Sequence, residues 1–542
     1  MNNKLLNWVF VGQLVLFGLI ITSILPRSVV PYLAIALATY VIFASLEDAT
    51  VFFVRSIPFF IAIPITATFD NFNTWRILSG IIFLKWMIKN QNLNPKSIYV
   101  TIRSYLGVNI FKKISLPIIS LLLLSVLSII PASDKMLAVK RIIYFVNLSL
   151  IGIVIYDLAQ KQDFAKRLIK NISIPVIAVA LVGFIQLIST YFVDIYQFMR
   201  IWGEGIQCNQ FGNQWCNIAV QVGNTWFAYY GDQLSLRIFS LFPDSHSFPQ
   251  FLLLGLPSVF VIALNGVIKE HHSSFKKMIT TRSGLIVTAI PLIFLTSILT
   301  GTRGIWAGSI GALMAGGFYV YILGKKYHQT QKRVLIYLIS YMSIFFLLFT
   351  VAFPIFESPQ FLLSKGNSLL FGKRLRSIID FGETSNSQRI AIWKSSLISI
   401  KNHPLFGIGI GNFPVVLNQN LGLAKAGSSA HNIYLHIAAE MGIPALIFAL
   451  WFLCLLMQKI YNNFIFSKDW EIIVYNGAAL IFIPWVLIYC LTDVALFDER
   501  AFLLFVTTVS LILSTKNPAN GAWDIIQFNQ VISGLLKHKS TP

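Results

Sequence analysis

Charged residues are scarce in this chain of 542 residues, since they make up 12% of it against 56% hydrophobic residues. Soluble domains carry roughly a quarter charged residues, so the composition excludes an ordinary soluble globular protein. The mean hydropathy is +0.71, and apolar stretches of about 20 residues, enough to cross a bilayer, recur along the chain. The sequence therefore predicts an all-α polytopic integral membrane protein, with residues 1–542 forming one membrane domain.

Cysteine is also rare, and four residues are too few for a disulfide scaffold. Cys454 and Cys490 lie inside apolar spans, where a free cysteine behaves as a small core residue. Cys208 and Cys216 share a polar, aromatic-rich loop. They would form a bridge if that loop faces an oxidising compartment, and the sequence leaves that question open.

Metal and nucleotide motifs are missing from the sequence. No group of His, Cys, Asp and Glu has metal-ligand spacing, and no Asp-x-Asp-like pair suggests a cation-dependent sugar-nucleotide site. The Gly-x-Gly-x-Gly of Phe406–Phe413 lacks the preceding strand and following helix of a nucleotide-binding motif. We predict a tight backbone passage there and no cofactor.

The apolar stretches predict about fourteen spans. Twelve or thirteen remain if the third and fourth fail, because charged residues and prolines interrupt them (Arg55, Pro58, Pro64 and Arg76). The first follows one lysine and lacks a small-residue cleavage site, so we expect a retained span rather than a signal peptide. The spans are approximately 5–25, 29–46, 51–67, 75–89, 115–130, 138–157, 172–192, 245–265, 284–300, 304–323, 334–353, 431–457, 473–492 and 500–514.

Basic residues outnumber acidic ones by 42 to 21, a balance that suits nucleic acid or anionic lipid. Most lie in short loops between spans, which is the orientation signal of a membrane protein and not a nucleic-acid-binding patch. With a cytoplasmic N-terminus, alternation places the tail 515–542 inside, along with the basic loops 90–114, 158–171, 266–283, 324–333 and 458–472. Two short loops disagree with the rule, those with Arg27 and with Lys135, Lys140 and Arg141.

The same alternation places two long loops outside, 193–244 and 354–430. The first is rich in tryptophan (Trp202, Trp215 and Trp226), which suits either a sugar-contacting surface or an aromatic belt at the membrane boundary. In the second, residues 387–402 place apolar side chains at three- and four-residue spacing, which predicts an amphipathic helix. Those side chains are Ile390, Trp393, Leu397 and Ile400.

His431 is the leading catalytic candidate. It follows a serine pair and precedes an apolar run, so we expect it at the start of a membrane helix that Ser428 or Ser429 caps. A helix start favours an anionic group such as a phosphate, and an imidazole there can exchange protons near neutral pH. Glu440 can pair with His436 four residues earlier, but it lies about 180° around the helix from His431.

Three arginines near the same boundary suit a diphosphate, because a guanidinium binds oxygens bidentately and stays charged. Arg303 lies in a short hairpin between two spans, where charge is costly without a partner or a function. Arg389 lies near the start of the predicted loop helix, and Arg237 precedes the eighth span. The alternatives are a snorkelling Arg303, a solvated Arg389 and a local ion pair between Arg237 and Asp244.

These motifs resemble the O-antigen ligase and O-antigen polymerase superfamily of bacterial membrane glycosyltransferases. The family pattern is His, then Asn, Ser or Gln, then nine residues and Gly, and it is matched by His431, Asn432 and Gly442. Similar too are the Thr302-Arg303 turn, SQRIAIW with Arg389, and HPLFGIGIGNF. The family's last motif position, which takes Gly, Thr or Tyr, is Ala445 here. The resemblance is strong from about 237 to 444.

The resemblance implies a GT-C-type architecture and inverting, metal-independent transfer of a glycan from undecaprenyl diphosphate to a sugar hydroxyl on a sugar or lipid-linked acceptor. It implies a bacterial inner membrane protein with cytoplasmic termini and periplasmic loops, and other polysaccharide-assembly proteins as partners. By the motifs, Arg303 and Arg389 would hold the diphosphate and His431 would act as base, or steady the leaving group, supported by Asn432. Arg237 would be a third cation for the substrate. A solute transporter and a non-catalytic export scaffold are the alternatives.

Overall fold

The computed structural model describes residues 3–64, 72–89, 109–212, 225–230, 233–269, 282–324, 329–364, 384–419 and 428–515. Helix dominates these ranges, and one two-stranded hairpin is the strand structure found among them. The predicted all-α polytopic membrane fold is confirmed, because eight of the helices are long and apolar enough to cross a bilayer and three shorter apolar helices accompany them. The predicted tail 515–542 lies outside the described residues from 516 onward.

The helices of the N-terminal half are α1 (Asn3–Ile21), α2 (Val30–Phe43), α3 (Leu46–Ser56), α4 (Thr74–Lys89), α5 (Asn109–Leu127), α6 (Lys135–Leu158), α7 (Gln162–Ser189), α8 (Ile195–Phe198), a π-helical segment (Met199–Gln207) and α9 (Cys208–Phe211). Strands β1 (Phe227–Tyr230) and β2 (Gln233–Leu236) pair antiparallel. The third predicted span, 51–67, is not one helix, because α3 ends at Ser56 and Pro58 follows in a short 3-10 turn.

The C-terminal half contains α10 (Ser247–Lys269), α11 (Arg282–Leu299), α12 (Arg303–Gly324), α13 (Gln329–Leu347), α14 (Phe349–Phe356), α15 (Thr384–Asn402), α16 (Ile433–Met441), α17 (Ile443–Phe466), α18 (Trp470–Tyr489) and α19 (Glu499–Ser514), with 3-10 turns at Phe413–Leu417 and Ala495–Phe497. Helices α10 and α18 pack against each other at the centre of the bundle. Their side chains are almost all buried wherever the structure describes them, so these two helices position the loops at their ends.

Ion pairs join the loops that the alternation of spans assigns to one side. Lys170 pairs with Glu471 at 2.8 Å, Lys166 pairs with Asp469, and Arg167 pairs with Asp48. Residues from loops 158–171 and 458–472 therefore meet at one end of the bundle. The predicted site residues lie at the opposite end.

The tryptophan-rich segment is a packed layer where the structure describes it. Trp226 is fully buried, stacks on Phe239 at 4.7 Å between ring centroids, and donates its indole N–H to the Pro243 carbonyl. Trp202 is buried too and donates to Ser189 Oγ. Because both side chains are buried, they form neither the sugar-contacting surface nor the membrane belt that the sequence left open. Trp215 lies outside the described residues.

The cysteines separate into two groups. Cys208 is disulfide-bonded, and Cys216 lies outside the described residues. Cys454 and Cys490 are free thiols. Cys490 is buried as expected of a small core residue, but Cys454 is exposed on α17.

The predicted span 431–457 is two helices rather than one. Gly442, with φ of +87°, separates α16 from α17, and a Cβ at this position would lie 2.2 Å from the Leu405 carbonyl oxygen. The segment Pro404–Phe413, which we call the glycine loop, packs into this break: Ile408 N–H donates to Ala439 O at 3.0 Å, and Ile443 N–H donates to Pro404 O at 2.8 Å. The loop is the tight backbone passage that its glycines predict.

Candidate active site

His431 has a strained backbone at the head of α16. Its φ is +45°, a left-handed conformation that costs a non-glycine residue about 1 kcal/mol or more. Its N–H donates to Ser429 Oγ at 3.3 Å, and 35% of its side chain is exposed. Such strain is typical of residues that must present a side chain in one fixed direction.

Asn432, and not Ser428 or Ser429, caps α16. Its Oδ1 accepts hydrogen bonds from the N–H groups of Tyr434 and Leu435, both at 3.0 Å. The serine-cap prediction was wrong because the helix begins at Ile433, beyond the reach of either serine. The Ile433 N–H donates to Cys490 O at 2.8 Å, so the helix start is fixed to the end of α18 and His431 is held beside the turn that follows it.

Asp493, in that turn, faces two histidines. Its Oδ2 lies 3.3 Å from His246 Nδ1 and 3.8 Å from His431 Nδ1. Its Oδ1 accepts the N–H groups of Val494 and Ala495 at 2.8 and 3.0 Å. Because these backbone bonds fix the carboxylate, its second oxygen has a set position between the two imidazoles.

Arg237 completes a chain of contacts that fixes the His246 tautomer. It donates from Nε to Thr300 O at 3.0 Å, and its NH2 lies 2.9 Å from His246 Nε2. A guanidinium only donates, so His246 Nε2 must accept and the ring proton lies on Nδ1, facing Asp493. Asp244 accepts the His246 N–H at 2.9 Å and caps α10, so its carboxylate has a structural role there.

The electrostatics agree with this assignment. Burial lowers the pKa of His246 and the Arg237 and Arg389 charges lower it further, against the opposite effect of Asp493 and Asp244. Burial alone would raise the pKa of Asp493, but the neighbouring His246, His431 and Arg389 together hold it well below its ordinary value. Near neutral pH the site thus contains a neutral His246 beside an ionised Asp493.

Helix α15 brings Arg389 to the same cluster. Trp393, one turn after Arg389, donates its indole N–H to Ala430 O at 2.9 Å, which fixes this face of the helix against the residue preceding His431. The Arg389 charge acts on both His246 and Asp493. The helix was predicted at 387–402 and spans Thr384–Asn402. Leu397, placed on its apolar face by the spacing, is exposed; Ile400 packs as predicted, and Ile392, which was not on the predicted face, packs as well.

Arg303 is the first residue of α12. The residues on either side of it, Thr302 and Gly304, contact the cluster around Asp493. Thr302 Oγ1 lies 3.3 Å from Arg237 NH2 and donates to Ser245 O at 2.9 Å. Gly304 packs so closely on the end of α18 that a Cβ would lie 2.1 Å from Thr492 Oγ1. The Arg303 backbone is therefore held next to the turn that contains Asp493.

Asp493 and the contact role of His246 were not predicted from the sequence. A lone acid directly after an apolar span, in the stretch CLTDVALFDE, was the available signal, since charge at a membrane boundary usually has a partner or a function. Glu440, by contrast, pairs with His436 at 3.5 Å as its spacing predicts. It also accepts the Phe413 N–H at 3.1 Å, so its carboxylate stabilises the end of the glycine loop.

Residues 287–450 match the family model of the O-antigen ligase domain, Wzy_C. The resemblance to the O-antigen ligase superfamily drawn from the motifs is thereby confirmed over that part of the chain. The matched range includes Arg303, Arg389, His431 and Asn432, whereas Arg237, His246 and Asp493 lie outside it. A search of curated proteins gave no match.

Proposed function

Because residues 287–450 match the O-antigen ligase domain model, we propose that the chain is a membrane glycosyltransferase that moves a glycan from undecaprenyl diphosphate to a sugar hydroxyl, as an O-antigen ligase or a polysaccharide polymerase. The observation that carries the proposal is the cluster around Asp493 at one end of the helix bundle: its carboxylate faces His431 and His246, Arg237 contacts His246, and the Arg389 charge acts on the carboxylate. The two cations suit an anionic substrate, and the histidine supplies a proton acceptor beside them.

The arginines bind the donor's diphosphate. Arg389 and Arg303 hold its oxygens, and Arg237 adds a third cation whose position is set by Thr300 and His246. As the bond between the anomeric carbon and the diphosphate breaks, negative charge grows on the leaving oxygen. Cations already in place stabilise that charge without reorganisation, so no metal ion enters this scheme.

His431 takes the proton of the acceptor hydroxyl. Asp493 near Nδ1 favours the tautomer with its proton on that atom, which leaves the Nε2 lone pair as base. The acceptor oxygen bonds to the anomeric carbon from the face opposite the diphosphate, the carbon–diphosphate bond breaks, and the hydroxyl proton moves to Nε2. The products are the extended glycan, inverted at that carbon, and undecaprenyl diphosphate. Asp493 and Asn432 act as positioning residues.

The proposed location is the bacterial inner membrane, with the site on the periplasmic side. Its support is the position of the site at the end of the bundle opposite the basic loops 158–171 and 458–472, which the positive-inside rule assigns to the cytoplasm.

The function is tested by His431→Ala in membrane vesicles supplied with lipid-linked glycan and acceptor. Transfer should fall by about 100-fold or more, the contribution of a general base, while His403→Ala, a surface histidine at the end of α15, retains full activity. Undiminished transfer by the His431 variant would refute the assigned base.

No observation favours the transporter alternative. It predicts polar groups near the middle of the membrane, where the sequence offers little besides Gln186 and Asn147. Asn147 accepts a hydrogen bond from Ser79 Oγ at 3.1 Å. Gln186 is fully buried, and its Oε1 accepts the N–H groups of Phe239 and Ser240 at 3.0 and 2.9 Å. Gln186 therefore stabilises a chain turn.

A further inference from the structure

Arg76 and Arg141 form a second arginine pair that the proposed mechanism does not use. Arg141 belongs to the short basic loop that breaks the positive-inside rule, and Arg76 interrupts the fourth predicted span. In the structure both guanidinium groups lie against one ring, that of Tyr144, at 5.7 Å for Arg76 and 5.0 Å for Arg141. Each guanidinium also lies against a second ring, Arg76 at 5.1 Å from the Trp75 ring and Arg141 at 4.9 Å from the Phe145 ring.

Both guanidinium groups lack hydrogen-bond acceptors within the described part of the chain. Neither forms a hydrogen bond or an ion pair there, and Arg76 Nε is buried without an acceptor. The neighbouring carboxylate, Glu499, accepts from Asn73 Nδ2 and Trp75 Nε1, both at 2.8 Å. Arg27, the other exception to the positive-inside rule, differs because it donates to the Asn209 and Ala62 carbonyls.

This arrangement is unfavourable without an anion. Two like charges lie on one aromatic ring, and the weak attraction of a cation–π contact does not fully offset the cost of a buried donor without an acceptor. Guanidinium groups backed by rings and presenting unused N–H donors are suited to bidentate binding of phosphate oxygens.

The turn Ala495–Phe497 separates the Arg76–Arg141 pair from the candidate active site at Asp493. Tyr144 OH donates to Phe497 O at 3.3 Å, at the end of the turn whose beginning, Ala495, donates to Asp493. The glycine loop packs against the aliphatic part of the Arg141 side chain. Gly411 in this loop has φ of +78°, and a Cβ there would lie 3.3 Å from Arg141 Cβ. Two cationic sites therefore flank the turn Ala495–Phe497.

We propose that Arg76 and Arg141 bind the phosphate of a lipid-linked acceptor, so that donor and acceptor headgroups occupy separate cationic sites on either side of this turn. The inference rests on the proposed function. Both substrates then reach the same membrane boundary without mutual repulsion, and the acceptor hydroxyl is presented to His431. The specific prediction is that the acceptor is recognised partly through a phosphate near its lipid.

The test uses purified full-length protein in phosphatidylcholine vesicles, with the double variant Arg76→Gln/Arg141→Gln. At saturating undecaprenyl-diphosphate donor, the KM for an acceptor on a prenyl phosphate should rise about tenfold or more, the loss expected for charge-assisted hydrogen bonds. The KM for the donor, and transfer to a soluble acceptor without phosphate, should stay unchanged. Lys135→Gln/Lys140→Gln, which changes two exposed lysines on α6, is the charge-matched control.

Several results would overturn the inference. A raised KM for the donor would assign the pair to the donor, and an equal loss with both acceptors would show a structural role. If phosphatidylglycerol stimulates the original protein and the double variant loses only that effect, the anion is an ordinary lipid headgroup. If the double variant does not fold, the half-buried Arg141→Gln alone decides by the same acceptor KM. Absence of any transfer by the original protein would instead refute the proposed function.

Discussion

At the scale of single residues, the candidate site depends on Asp493 more than on any residue that the motifs contain. The motifs identify His431 and Arg389 because their neighbours follow a known pattern. Asp493 has no such neighbours, and only the packing of α18 against the start of α16 brings its carboxylate to 3.8 Å from His431 Nδ1. Motifs record only the spacing of residues close together in the chain. The contact between His431 and Asp493, which are 62 positions apart, therefore could not be predicted from them.

We predict that Asp493→Asn lowers kcat by about 10- to 100-fold and leaves the donor KM nearly unchanged, because the carboxylate acts on the base rather than on the diphosphate. The amide oxygen can still accept the Val494 and Ala495 N–H groups, so the fold should persist. Steady-state kinetics with varied donor measure both constants. A change in KM alone would contradict the assigned role, and Asp163→Asn, exposed at the other end of the bundle, is the control.

At the scale of secondary-structure elements, long apolar runs predict helices well and their breaks poorly. The helix spanning Thr384–Asn402 and the helix α18 lie within a few residues of their predicted bounds. The span 431–457 was predicted as one helix because its apolar residues are continuous. The break at Gly442 arises from the glycine loop, whose backbone occupies the space that a continuous helix would need.

Gly442→Ala tests this account of the break. The added Cβ would meet the Leu405 carbonyl oxygen at 2.2 Å, and φ of +87° is unfavourable for alanine, so the free energy of unfolding should fall by about 2 kcal/mol or more. Thermal unfolding in detergent measures the loss. Gly317→Ala is the control, because a Cβ there meets nothing within 4 Å. Equal stability of the two variants would refute the tight passage.

Asp498, the cap of α19, predicts a pH dependence. Burial raises its pKa to about 7, and Glu499 and Asp244 raise it as well, against the lowering effect of Arg500 and the Ala501 N–H. The folded state therefore holds a proton that the unfolded chain releases above about pH 4, so the contribution of Asp498 to stability decreases as the pH rises from about 4 to 7.

Asp498→Asn should remove this pH dependence while keeping the cap, since the amide oxygen can accept the Arg500 and Ala501 N–H groups. The variant should gain thermal stability relative to the original protein at pH 7.5 and show no such gain at pH 4.5. Unfolding curves at the two pH values decide it. A pH-independent difference would contradict the raised pKa.

At the scale of the whole molecule, composition and loop charge predict a polytopic membrane protein. The arrangement of the candidate site depends on how the helices pack. The all-α membrane fold follows from the apolar spans, and the ion pairs between loops 158–171 and 458–472 agree with the predicted alternation. The convergence of Arg237, Arg389 and His431 depends on the turns after α11 and α18. Hydropathy locates such turns and does not orient them, so the side-chain contacts had to come from the structure.

Deletion of the protein separates the two enzyme classes that share the proposed donor. A lost polymerase should leave single repeat units on undecaprenyl diphosphate, and a lost ligase should leave long lipid-linked chains, because each step consumes a different form of the same lipid. Mass spectrometry of the extracted lipids distinguishes them. Unchanged lipid-linked glycans would argue against both.

The central claim is that the diphosphate of the donor lies among Arg303, Arg389 and Arg237, next to His431. An experimental structure with undecaprenyl diphosphate bound tests this directly. The account predicts phosphate oxygens within hydrogen-bond distance of the Arg389 and Arg303 guanidinium groups, with His431 Nε2 facing the position of the transferred sugar. A diphosphate bound elsewhere in the bundle, with these arginines directed away from it, would contradict the account.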